Sequence, residues 1–173
     1  MTSQRRLSYS LSAAALLLML LLGSAGFAQD KAAPQTTKAN SWTVQIEPVA
    51  WDEGKIPPDF AVAIYEKLIQ EIGKTGKFKQ IYRIGDRRAA DAPNLLVLTS
   101  KVENFQLGSE TKRAVTTVQG ATKISVRVQL TTRDSQVKMD KTATGTVRFM
   151  GGNLNATQDL AKNIAKLIKE SSL

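Results

Sequence analysis

Between residues 123 and 131 the chain alternates without a break. Ile124, Val126, Val128 and Leu130 are apolar, while Lys123, Ser125, Arg127, Gln129 and Thr131 are polar. A period of two places the sets on opposite faces of a strand, one buried and one wet. After the turn RDSQ a second run puts Val137, Met139, Ala143, Val147 and Phe149 inward. Lys138, Asp140, Thr142, Thr144, Thr146 and Arg148 face outward. The two runs predict an antiparallel hairpin with one solvated face, closed by GGN.

The same reading gives the other elements. Trp42, Val44 and Ile46 alternate with Thr43, Gln45 and Glu47, a half-buried strand stopped by Pro48. Pro57 and Pro58 set up a helix with Asp59 near its positive end. Its stripe is Ala61, Ile64, Tyr65, Leu68 and Ile72, and Gly76 is its stop. KFKQIYRI reads as a strand, with Phe78, Gln80, Tyr82 and Ile84 on one face and Ile81 on the other. LLVLTSKVENF is apolar on both faces at its start and predicts a central strand. The connection over residues 106–122 is long enough to be functional or mobile. Leu160, Ile164, Leu167 and Ile168 stripe a closing helix, and Asn155 with Gln158 resembles a capping box. The order is strand, helix, four strands, helix. It predicts an α+β two-layer sandwich: one mixed, mostly antiparallel five-stranded sheet with two helices on one face.

Ahead of this lies a different composition. Arg5 and Arg6 precede an apolar run over residues 13–22, the length of a signal sequence and short of a membrane span. Gly26 and Ala28 form a small-x-small site, so cleavage after Ala28 is expected. Residues 29–41 hold no apolar side chain larger than Ala and predict a flexible tether. An uncleaved anchor is the alternative, since residues 7–28 carry no charge. The expected organisation is a signal peptide over 1–28, the tether over 29–41 and a single domain over 42–173. Cleavage leaves 145 of the 173 residues, enough for one domain with its own core. No cysteine is present, which closes both lipid attachment and disulfides.

The chain carries 24 Lys and Arg against 15 Asp and Glu, a net charge of +9 that becomes +7 without Arg5 and Arg6. It has no His either. The commonest general base, the commonest metal ligands and the strongest nucleophile are therefore all missing. The carboxylates Asp52, Glu53, Asp86, Asp91, Glu103, Glu110 and Asp134 are scattered, in no recognisable calcium or two-carboxylate motif. Gly73-Lys74-Thr75 imitates the end of a phosphate loop, but Leu68 stands where a Gly is required. Asn155 to Thr157 is a glycosylation sequon that a helix start explains equally well. No metal or cofactor site is expected.

Two surfaces remain as binding candidates. The first is a basic band of Lys74, Lys77, Lys79, Arg83, Arg87 and Arg88, interleaved with Phe78 and Tyr82. It suits an anionic partner, or equally a solvated edge strand whose lysines prevent aggregation. The second is the wet hairpin face with its row of threonines, which also fits ordinary strand preference.

Several stretches resemble a family of exported bacterial proteins, the domain of unknown function numbered 4410. They are KTGKF, AADAPNLLVL, ENFQLGSETKR, GATKISVRVQL with Asp134, TATGTV and the closing helix. The chain departs from that family in lacking a lipid-bearing Cys, and in having Ser135-Gln136 where Thr-Gly is expected after Asp134. More distantly it is similar to outer-membrane lipoproteins that activate wall synthases and to the curli-secretion lipoprotein. The resemblance implies a periplasmic or secreted accessory protein that binds an envelope protein or an anionic polymer, and it transfers no catalytic residue. The expectation is a non-catalytic binding protein with no nucleic-acid partner and no membrane span after cleavage. The alternative is a hydrolase using carboxylates alone on cell-wall or other extracellular polymer.

Overall fold

Five strands form one open mixed sheet in the computed structural model, which describes residues 42–52, 55–116, 120–148 and 151–173. The signal, its cleavage site and the tether lie outside the described residues, as does Phe149. The strands are β1 (Thr43–Ile46), β2 (Ile81–Arg83), β3 (Leu95–Gln106), β4 (Thr122–Thr132) and β5 (Val137–Val147), and the sheet order is β2-β1-β3-β4-β5. β1 runs parallel to both β2 and β3, and β3, β4 and β5 are antiparallel. The helices are α1 (Pro58–Lys74), α2 (Glu110–Val115) and α3 (Asn155–Glu170). The α+β architecture and the central place of β3 are as the sequence predicts.

α1 starts where its prolines say it should. Pro57 is the extended cap residue and Asp59 sits in the first turn. Gly76 follows with φ 62°, the left-handed stop. Ile64, Leu68 and Ile72 of α1 and Leu160, Ile164 and Ile168 of α3 enter one core with the inward residues of β1, β3, β4 and β5. The two helices touch through a polar bridge as well. Glu71, almost fully buried, accepts from Lys74 Nζ at 2.6 Å and from Gln158 Nε2 at 2.7 Å. The Lys74 bond, chiefly, holds the Glu71 carboxyl below its ordinary pKa.

Four details differ from the sequence reading. β2 spans three residues, not eight, because β1 has only four to pair with and Gly85 turns away at φ 80°. Phe78 precedes the strand, escapes its alternation and packs on the main core with Ile81. Val137 is 57% exposed, because a register shift after Leu130 pairs it with outward-facing Thr131. Asn155 does not cap α3. Leu154 occupies that position without a side-chain cap, and Gln158 is spent on Glu71. A second bulge, between Val102 and Asn104, turns Phe105 inward to meet Phe60 edge-on at 5.0 Å.

Candidate functional site

The basic band does not present six equivalent cations. Arg83 donates to Glu66 through both terminal nitrogens, at 2.6 and 2.8 Å, and lies over Tyr65. Arg88 clasps Asp86 at 2.8 Å and lies over Tyr82. These arginines draw the Glu66 and Asp86 carboxyls below their usual range, mainly by hydrogen bonding. Lys74 is held by Glu71, and Lys77 Nζ donates to Ser171 O at 2.7 Å at the end of α3. Lys79 and Arg87 are exposed and meet no carboxylate among the described residues. β2 is an edge strand of the sheet.

The wet hairpin face is real and internally bridged. Ser125 and Thr144 share a hydroxyl bond of 3.0 Å, and Thr142 donates to Glu103 at 3.2 Å. Asp140 accepts from Arg127 Nε at 2.8 Å and from Gln129 at 2.9 Å. Those donors, Arg127 first, lower its pKa to about 2.

A third site is not legible in the sequence as one. The segment over residues 106–122, a bare connection by its pattern, contains α2, whose Arg113 points into the protein with its side chain fully buried. Arg113 Nη1 donates to Gly120 O at 2.6 Å. Its Nη2 donates to Gly151 O at 2.9 Å and to Asn153 Oδ1 at 2.8 Å. Asn153 Oδ1 also accepts from Thr122 Oγ1 at 2.7 Å, and Thr122 Oγ1 accepts from Gly108 N at 2.9 Å. Glu110 Oε1 takes the Asn153 N–H at 2.8 Å and stands 4.0 Å from the guanidinium. One arginine thus ties α2, the start of β4 and the approach to α3 together.

Gly108 and Gly120 make the knot possible. A Cβ on Gly108 would collide with the Gly120 carbonyl, and Gly120 has φ 87°. The neighbouring β5 edge is closed by α3: Asp159 Oδ2 accepts from Thr146 N at 2.8 Å, and Asn163 Nδ2 donates to Thr144 O at 2.8 Å. Side chains here satisfy backbone groups that an open edge would expose. The stretches ENFQLGSETKR, GATK and TATGTV therefore meet at one corner of the fold.

That corner holds a hollow of about 600 Å³. Lys112, Lys123 and Arg148 line it, with Gln106, Ser109 and Thr146 between them. All three cations are exposed and form no ion pair among the described residues. A second hollow of about 510 Å³ shares Lys123, Thr146 and Arg148 and continues to Thr144, Asp159 and Asn163. Lys123 and Thr146 are direct cross-strand partners. No group of three or more residues able to hold a metal ion occurs among the described residues.

No family model matches this chain, and no curated protein matches it. Solved structures do. A dodecamer of a point variant of PelC from Paraburkholderia phytofirmans superposes with a TM-score of 0.55 at 16% identity, covering 76% of this chain and 88% of that one. A second PelC dodecamer from the same organism gives 0.54 at 18%, covering 75% and 89%. A hypothetical protein from Chlamydia trachomatis aligns at 0.45 and 12%, over 74% and 91%. At these identities the PelC structures establish a shared fold.

Proposed function

We propose that this chain is an exported accessory protein of the bacterial envelope, periplasmic or secreted, that binds rather than catalyses and works as an assembly of identical copies. The observation that carries the reading is the fold shared with PelC over nearly the whole of that chain, in two structures that are both dodecamers. The amino-terminal signal pattern and the resemblance to the 4410 family point the same way. No helix among the described residues is long and apolar enough to cross a membrane.

The carboxyls whose pKa moves are not poised as general acids. Asp52, Glu66, Glu71, Asp86 and Asp140 all move down, each held chiefly by a hydrogen-bonded cation. A general acid needs the opposite shift. Protein recovered from the periplasm or medium is expected to have an intact mass beginning at Gln29 and to leave cell-wall glycan uncut. A full-length, membrane-embedded chain refutes export. Glycan turnover that disappears on changing a single carboxylate refutes the non-catalytic reading and installs the hydrolase.

A further inference from the structure

We propose that the hollow at the α2–β4–β5 corner is a binding site for a carboxylate-bearing polysaccharide, with Lys112, Lys123 and Arg148 receiving the acidic groups. This rests on the accessory reading above and names the class of ligand. Three features of the corner argue for it.

The first is charge. Among the described residues, the lining of the larger hollow carries three cations and no carboxylate. Three surface arginines elsewhere are instead ion-paired, Arg83 on Glu66, Arg88 on Asp86 and Arg127 on Asp140. Cations without an internal partner are free to meet an outside anion without first breaking a bond. Arg113 adds to the field from beneath. It is buried, its Nε has no partner among the described residues, and its nearest carboxylate oxygen is 4.0 Å away. Its hydrogen bonds run to carbonyl and amide oxygens, and Glu110 at 4.0 Å offsets part of its charge. Gly120, which accepts one of them, lines the hollow. Low-dielectric surroundings screen such a charge less than water does.

The second feature is the kind of polar group between the cations. Ser109 and Thr146 supply hydroxyls and Gln106 supplies an amide, while Asn163 and Asp159 extend the row into the second hollow. Hydroxyls, amides and a carboxylate match sugar hydroxyls, which donate and accept at once. Among the described residues the lining offers no aromatic ring for the base stacking on which single-stranded nucleic-acid binding depends. Leu107 and Ala121 are its apolar side chains among the described residues, a small surface for an acyl chain.

The third is shape. Two hollows joined through Lys123, Thr146 and Arg148 form a trough rather than a closed pocket. A trough accepts a segment of a continuing chain. Its floor is rigid, because Lys123 and Thr146 sit on paired strands and Arg113 pins the loops beside them.

The test uses the purified exported protein and polygalacturonate fragments of defined length, with neutral dextran as control, followed by calorimetry. Wild-type protein is expected to bind the acidic fragment and ignore dextran, and the affinity is expected to fade as the screening length falls from about 10 Å at 0.1 M salt to about 3 Å at 1 M. The pair Lys123→Gln with Arg148→Gln should weaken binding by about tenfold or more, and Lys112→Gln by a smaller factor. The pair Lys79→Gln with Arg87→Gln removes the same charge from the basic band and should change affinity by less than about twofold. Circular dichroism confirms that the variants fold. Equal losses from both pairs overturn the proposal in favour of general charge attraction. Failure of the wild type to bind polygalacturonate overturns it outright. Stronger binding of single-stranded DNA or of anionic phospholipid vesicles at matched charge overturns the choice of ligand. The same mixtures are assayed for fragment shortening, so a hydrolase is recognised separately from a missing site.

Discussion

Gly145→Ala is expected to lower the melting temperature by about 10 °C, the effect of roughly 3 kcal/mol of overpacking in a domain of this size. The cause is the approach of α3 to β5. A Cβ added to Gly145 collides with the Ala156 carbonyl oxygen and lies 2.5 Å from both the nitrogen and the Cβ of Leu160. These are mostly helix backbone atoms, so no rotamer change relieves them. α3 must lift off the strand, which also strains the Asp159 and Asn163 bonds to β5. Gly76→Ala is the informative contrast. Gly76 has φ 62° and nothing lies within 4 Å of where its methyl would sit, so the cost is only backbone conformation, about 1 kcal/mol. Thermal unfolding by circular dichroism separates the two. Equal shifts for both substitutions show that close packing of α3 is not what demands Gly145.

Arg113→Ala is expected to cost about 3 kcal/mol in urea unfolding. Two effects compete. Removing the side chain relieves the desolvation of a buried cation whose Nε is unpartnered among the described residues. Against that, Gly120 O, Gly151 O and Asn153 Oδ1 lose their charged donor, and a void opens between α2 and β4. Hydrogen bonds to a charged group contribute about 1.5–3 kcal/mol each, so several of them outweigh the relief. Arg113→Lys should recover little, since one ammonium cannot fork between Gly120 and Gly151. Amide hydrogen exchange over residues 107–116 should accelerate before the rest of the sheet. Unchanged stability in the Ala variant means that the guanidinium contributes nothing net.

The fold is readable because each long element carries its own period. β4 can be drawn residue by residue from Lys123 to Thr131, and α1 from Pro58 to Gly76. The errors fall where local pattern yields to a neighbour. β2 looks eight residues long by alternation, but pairing with a four-residue β1 limits it to Ile81–Arg83. Val137 looks inward until the shift after Leu130 is known. The corner site is hidden for a different reason. Lys112, Lys123 and Arg148 stand far apart in sequence, and only antiparallel register with the folding back of α2 brings them to one hollow. Arg113 looks like one more surface cation beside Lys112. Its signal is present in the glycines at 108 and 120, which bracket a basic six-residue helix that must turn inward. The band from Lys74 to Arg88 is visible because its charges are close in sequence, and its partners Glu66 and Ser171 are not, being set by tertiary contacts.

The proposed role of this PelC-like fold is that of an assembling, non-catalytic envelope protein. Native mass spectrometry of the mature protein, recovered from the periplasm or medium at low salt, tests it most directly. A closed multimer of identical chains, each beginning at Gln29, is the expected result, with twelve copies as in the PelC structures the leading stoichiometry. A monomer at every concentration up to the solubility limit contradicts it.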